Sequence, residues 1–469
     1  MARDISNANR RSNDSEGLIA HDVARAFQRP DAPQVLTQTL EHSVDNAHRA
    51  REQIEWQALR SAAHDIKAYA IENLDSLLVE FERQFAARGG TVVWAQTAGE
   101  GVAQLLEICR RHDVRSVVKG KSMLSEELAV NEHLESAGIE PVETDLGEFI
   151  VQLAGQRPSH IVGPALHLSR QDVGTIFQRR LGTEYTDDPE QLMTLARVRL
   201  RKRYLEAGLG LTGVNFAVAE TGTIAVIENE GNGGLSSSVP PVHVFLMGIE
   251  KIIPRLADLP VFLQVLARSA TGQKIEVYTH HFLGAEPGKT VYCIIVDANR
   301  TKLLADPQTR ESLYCIRCGA CLNVCPVYRR AGGFAYGGTY GGPIGAAIAP
   351  TLSGMDRAGE LPFVSTLCGA CRDECPVKID LPHQLVYLRH QAILAGRPNS
   401  RALETGIAMW ARAMQTLSSY RRSVSWLRRA AAVGRAIGWY PGVLGAWAKF
   451  RTVPPVARVS FKEWWERRS

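Results

Sequence analysis

The 469-residue chain contains no uninterrupted apolar run approaching the eighteen or so residues that cross a bilayer. Its opening, Met1 to Glu16, is polar and charged, without the apolar stretch of a secretory signal. Cysteine is scarce outside two short runs: of nine cysteines only Cys109 and Cys293 lie elsewhere, each within an apolar segment. That leaves no disulfide framework and points to a reducing, cytoplasmic compartment. No G-x-G-x-x-G opens a helix after a strand and no Walker-type loop occurs, so neither nucleotide-binding turn is supported. Motifs that read nucleic acid are also missing, and no nucleic-acid partner is expected.

What is present is concentrated between Cys315 and Pro376. The first run reads Cys315-Ile-Arg-Cys318-Gly-Ala-Cys321-Leu-Asn-Val-Cys325-Pro326, a C-x2-C-x2-C-x3-C-P pattern. Forty-three residues beyond Cys325 comes Cys368-Gly-Ala-Cys371-Arg-Asp-Glu-Cys375-Pro376, the same pattern without its first cysteine, where Ser365 stands. Two-residue spacers let one tight loop offer three thiolates to an iron–sulfur core, and the proline turns the fourth toward a second cluster. Zinc is the rival ligand, but zinc ribbons pair two C-x2-C units and need neither the third cysteine nor the C-P ending.

In the crossed arrangement Cys315, Cys318, Cys321 and Cys375 complete one 4Fe–4S site. Cys325, Cys368 and Cys371 supply three thiolates to a second, which suits a 3Fe–4S cluster or a 4Fe–4S cluster completed by serine or an outside ligand. The stretch between the runs, Gly332 to Gly342, is rich in glycine, and Pro343 to Met355 reads as a helix. The long separation predicts an α-helical two-cluster ferredoxin module over residues 301–390.

The remaining chain divides around that module. Residues 1–40 read as a flexible N-terminus, and Gln34 to Arg88 carries a helical pattern with Leu59, Ala63, Ile66 and Ala70 on one stripe. Residues 41–300 form an α/β domain. Strands are predicted near Thr91–Ala95, Ser116–Lys119, Pro141–Asp145, His160–Gly163, Phe216–Ala219, Gly222–Glu228, His243–Gly248, Lys274–Tyr278 and Val291–Asp297, with helices over Gly99–His112 and Ser125–Ala137. The alternation implies a parallel sheet, and the closer spacing of the later strands suggests that part of it is antiparallel. Turns at Asn229 to Gly234 and Ser236 to Ser238 could offer backbone N–H groups to an anion, with Lys119 and Lys121 adding charge; tight hairpins and solvated lysines are the plainer account.

Residues 391–469 hold fourteen Lys/Arg against three Asp/Glu, a net +11; with the whole chain at +5, the first 390 residues carry −6. This segment also contains Trp410, Trp426, Trp439, Trp447, Trp464 and Trp465, six of the chain's eight tryptophans. A basic, Trp-rich helical region can pack on a partner subunit, the favoured reading, or make a peripheral contact with the inner face of a membrane.

Taken together, Asn215-Phe-Ala-Val-Ala-Glu-Thr-Gly-Thr223, Asn229-Glu-Gly-Asn-Gly233, Val242-His-Val244, Gly248-Ile-Glu-Lys251, the cysteine runs and Ser460-Phe-Lys-Glu-Trp-Trp465 resemble the lactate utilisation protein B family over nearly the whole length. The resemblance implies an N-terminal domain similar to the sugar-isomerase/CoA-transferase fold, then the ferredoxin module and a helical C-terminal region. It also implies two partners, a redox subunit with cysteine-rich repeats and a second subunit of the lactate-utilisation fold. The expected role is an iron–sulfur electron-transfer subunit in the oxidation of L-lactate to pyruvate. The alternative is an enzyme acting on an acidic metabolite, with Glu220 as nucleophile or base and Lys119 or Lys121 as anion partners. A redox sensor is a third reading.

Overall fold

The computed structural model describes residues 32–397 and 401–438, together with 440, 445, 448, 452, 457, 459 and 461–468. Of the expected flexible N-terminus, residues 1–31 lie outside the described residues, as do Trp439 and Trp447, whereas residues 32–40 belong to the helix Ala32–Arg51, which buries Leu40 in the core. The chain forms two compact units that meet in sequence between Arg397 and Pro398.

Ten strands lie among the described residues of the first unit. In chain order they are β1 (Thr91–Ala95), β2 (Ser116–Lys119), β3 (Glu140–Glu143), β4 (Leu209–Gly213), β5 (Phe216–Val218), β6 (Thr223–Glu228), β7 (Val242–Gly248), β8 (Ile252–Ile253), β9 (Tyr278–Phe282) and β10 (Thr290–Val296). Six make one sheet in the order β1-β10-β7-β4-β2-β3, and every pairing in it is parallel. β7 is buried along its whole length, as a strand covered on both faces must be.

The antiparallel pairs expected inside this sheet form a separate one, β8-β5-β6-β9. The reason is connection length. β5 and β6 are joined by a tight turn containing Gly222 at φ +66°, which can only make a hairpin, whereas parallel neighbours need a long crossover.

Other expectations shift. The helix predicted over Ser125–Ala137 is two helices, Met123–Glu127 and Val130–Ser136, because Ala129 between them adopts φ +51°. The strand expected near Lys274–Tyr278 begins only at Tyr278, where pairing with Glu228 starts. His160–Gly163 is not a strand. The His160 ring bonds the backbone N–H groups of Val162 and Gly163 and closes a bend.

Between β3 and β4 lie three helices that the strand pattern did not foretell, Leu146–Ala154, Arg170–Leu181 and Pro189–Glu206. They are capped by Asp145, Ser169 and Asp188 and enclose a core around Phe149 and Phe177 at the β2–β3 end of the sheet.

The helices Ala32–Arg51, Trp56–Glu72 and Leu74–Ala87 precede the sheet. Residues 300–397 continue the same compact unit, with Gly342–Leu352 and Leu381–Leu394 as their longest helices. In the second unit Arg401–Met414, Leu417–Ile437 and Phe461–Glu466 are helical, and Thr416 caps the second of these. Among the described residues no helix is long and apolar enough to cross a membrane.

Candidate iron–sulfur site

The first cysteine run is shaped by two residues in the left-handed region, Arg317 at φ +62° and Gly319 at φ +81°. They reverse the chain within four residues, after which Ala320–Asn323 forms one helical turn. A Cβ at Gly319 would meet Val162 and His160, so the loop packs against the His160–Gly163 bend between β3 and β4. His160 there bonds Asn323 at 3.1 Å, and the Tyr328 hydroxyl donates to the Ser159 carbonyl at 2.6 Å. Burial lowers the His160 pKa to about 4, so the ring is neutral.

Cys315, Cys318 and Cys321 share the wall of one cavity with Cys375 from the second run, otherwise lined largely by apolar side chains such as Ile161, Ile344 and Ile379. Backbone N–H groups point at the sulfurs, Arg317 N to Cys315 Sγ and Ile379 N to Cys375 Sγ, both at 3.4 Å. Burial, with neighbouring thiols adding to it, pushes the Cys318 and Cys321 pKa values far up and that of Cys375 to about 11. Four thiols in an apolar pocket become thiolates only around a cationic centre. Among the described residues no three His, Cys, Asp or Glu side chains converge on a single ion. Thiols set around a cavity suit a multi-iron core.

The other three cysteines of the two runs, Cys325, Cys368 and Cys371, neighbour one another. Cys371 feels Cys325 and Cys368 as its nearest like charges, and burial followed by these neighbours raises its pKa to about 12. Cys325 is also buried, whereas Cys368 is exposed to solvent. Tyr336, 1 % exposed, places its hydroxyl beside Cys325 with no nitrogen or oxygen partner. A donor buried in this way fits a sulfur-rich acceptor.

Positive charge gathers around the first set. The Arg317 guanidinium lies over the Tyr340 ring, 4.6 Å from its centroid, and reaches Glu250 at 3.5 Å. Its Nη1 is buried without a hydrogen-bond partner, and Arg317 is among the residues that line the cavity. Glu250 also binds Arg300 at 2.8 Å, and Arg300 pairs with Glu127 at 2.7 Å. Burial opposes the Glu250 charge, but Arg300 and Arg317 outweigh it and hold its pKa at about 2. Glu250 and Arg300 follow the C-terminal ends of β7 and β10, so the first cysteine loop rests on the sheet edge where open α/β sheets bind ligands. These residues escaped sequence reading, although an arginine placed between two cysteines was a visible cue.

The α/β-domain candidates fare differently. Lys119 is buried and bonded to Glu143 at 2.5 Å and Asn131 at 2.6 Å. Burial disfavours its charge, but Glu143 and Glu126 more than offset this and raise its pKa. Lys121 donates to the Val162 carbonyl and pairs with Asp145. Glu220 is exposed and accepts from Leu256 N at 2.9 Å, in the β5–β6 turn. None of its contacts involves Lys119 or Lys121, so the proposed acid–lysine constellation is not assembled. The Gly-rich turn is also occupied: Gly233 N and Gly234 N donate to the Glu228 carboxylate, which bonds His280.

Comparison with known proteins agrees with this architecture. Residues 78–299 match the LUD domain, and residues 311–379 match the 4Fe-4S dicluster domain, which makes the chain a two-domain protein of LUD and ferredoxin type. Lactate utilization protein B of Bacillus licheniformis is 39% identical over 431 residues, covering 89% of this chain and 90% of the relative. The protein of the same name from Oceanobacillus iheyensis is 39% identical over 435 residues, 90% of each chain. That from Geobacillus kaustophilus is 40% identical over 425 residues, covering 88% of this chain and 89% of the relative. The chain belongs to the lactate utilization protein B family.

Proposed function

We propose that the chain is an iron–sulfur electron-transfer subunit that takes the two electrons released when L-lactate is oxidised to pyruvate and passes them on one at a time. Cys315, Cys318, Cys321 and Cys375 would hold one 4Fe–4S cluster, and Cys325, Cys368 and Cys371 the thiolate side of a second. Bound there, the clusters supply reversible one-electron chemistry at potentials set by ligands, hydrogen bonds and burial.

The observation that carries the reading is the cavity shared by Cys315, Cys318, Cys321 and Cys375, three of them buried, with Arg317 also among its lining residues. Around it the chain's own residues exclude water, donate N–H bonds to sulfur and neutralise charge through Arg317, with Arg60 acting on Cys375 and Arg51 on Cys318. The exposed Cys368 makes the second set the natural exchange point with a partner. A redox subunit with cysteine-rich repeats and a second LUD-fold subunit are the proposed partners.

The test is anaerobic purification with iron, sulfide and zinc analysis and EPR, followed by lactate-dependent dye reduction. Acid-labile sulfide and dye reduction only in the presence of the partner subunits are expected. Stoichiometric zinc without sulfide would refute the relay, and lactate oxidation by this chain alone would make it the dehydrogenase itself.

A further inference from the structure

Ser365 stands where the second cysteine run lacks its first member, and the backbone around it repeats the first run. Cys315 is followed two residues later by Arg317 at φ +62° and four later by Gly319 at φ +81°. Ser365 is followed at the same steps by Leu367 at φ +54° and Gly369 at φ +89°. Each loop then enters one short helix, Ala320–Asn323 and Ala370–Glu374. The side chains are held alike as well. Arg317 N donates to Cys315 Sγ at 3.4 Å, and Leu367 N donates to Ser365 Oγ at 3.2 Å. Leucine is costly in the left-handed region, so a loop with no task there has reason to relax.

The segment is also clamped from behind. Arg389 donates to the carbonyls of Pro362 at 2.9 Å and Ser365 at 2.7 Å, with its guanidinium 5.5 Å from the Phe363 ring centroid. Ser365 itself is partly exposed, beside a run whose Cys368 is open to solvent.

We infer that Ser365 is the fourth protein ligand of the second cluster, binding its corner iron through the hydroxyl oxygen. This rests on the two-cluster reading above. As the iron–oxygen bond forms, the hydroxyl gives its proton to the adjacent solvent, and no electron is transferred. Oxygen is a harder donor than thiolate and favours ferric iron, so this cluster has the lower potential for its type and the more easily lost corner iron.

The test uses the full chain, purified anaerobically, as wild type, Ser365→Ala and Ser365→Cys, with iron counting, Mössbauer spectroscopy and EPR. The wild type should hold about eight irons per chain in two clusters. Ser365→Ala should lose one iron per chain and show the oxidised-state signal of a three-iron cluster, with the spectrum of the other cluster unchanged as the control for folding. Ser365→Cys should keep the full iron content and raise the lower of the two potentials. A wild type with about seven irons, or a Ser365→Ala protein matching the wild type in iron and spectra, overturns the ligand assignment and leaves the two-cluster reading intact. An unchanged potential in Ser365→Cys overturns it too. About four irons per chain in the wild type overturns both.

Discussion

Arg317 is one of the side chains that join the cysteine module to the α/β part of the first unit. It shares the cavity wall with Cys315 and ends on Glu250, after β7. Its charge would stabilise an electron added to a cluster held in that cavity. Removing it in Arg317→Gln should lower that cluster's midpoint potential by on the order of 100 mV, from Coulomb's law at short range in a partly shielded interior. Arg317→Lys keeps the charge but loses the planar fork, and should shift less; redox titration followed by EPR checks both. That Cys315, Cys318 and Cys321 meet Cys375 was legible, because the spacing of the two runs implies it. Arg317 was not, because its partner Glu250 is 67 residues away and only the fold brings the two together.

At the level of elements, the helix Trp56–Glu72 shows what periodicity conceals. Its apolar stripe, with Ala63 and Ala70 fully buried, was legible as a core face. Beside that stripe, polar residues at 60, 64 and 67 grip the cysteine module and the sheet edge. Arg60 donates to the Cys375 carbonyl at 2.9 Å and the Arg372 carbonyl at 3.3 Å, His64 bonds the Val377 carbonyl at 2.9 Å, and Lys67 donates to the Glu250 carbonyl. In sequence these look like solvated charges. Arg60→Ala removes one donor from each of these two carbonyls, which keep their backbone donors Lys378 N and Cys375 N, a cost of about 0.5–1.5 kcal/mol per bond. The Cys375 loop should then open more often, measured as faster cluster bleaching in the presence of an iron chelator.

β7 offers a second test. His243 is buried beside Thr212, bonded at 3.0 Å, and burial followed by Lys289 lowers its pKa to about 3. The unfolded chain takes up a proton here as pH falls through the ordinary histidine range, while the folded chain refuses it. The His243 contribution is therefore complete at neutral pH and is lost on acidification toward about 3. Below pH 6.5 the slope is about 1.4 kcal/mol per pH unit. His243→Gln should be less stable at pH 7 but lose that part of the slope, as read from anaerobic urea unfolding between pH 7 and 5.

Across the whole molecule, the order of the parts was legible: helices, α/β domain, cysteine module, basic tail. Pairings within the α/β domain were not, because β1 lies beside β10, which follows it by about two hundred residues. Nothing local encodes such a neighbour. The separate small sheet and the three helices between β3 and β4 were hidden for the same reason, since their partners are set by packing and not by period. The tail is a unit of its own, with exposed Trp410 and Trp426 on helices rich in arginine. Deleting the residues after Arg397 should leave iron content and EPR spectra unchanged, because every cysteine precedes that point. Co-purification with partner subunits should fall sharply. Unaltered co-purification would assign the docking surface to the first unit.

The shared cavity of Cys315, Cys318, Cys321 and Cys375 has a consequence for biosynthesis. Three of these thiols leave the ribosome together, but the fourth follows 54 residues after Cys321. Nor can the second set close early, since Cys325 waits for Cys368 and Cys371. A nascent chain halted between the runs therefore displays four cysteines with neither cluster site complete. A cluster held by these thiols would be delivered late, once translation has passed Pro376. During that interval the exposed thiols are open to zinc and to oxidants, so growth under oxygen or excess zinc should poison newly made chains before it damages finished ones.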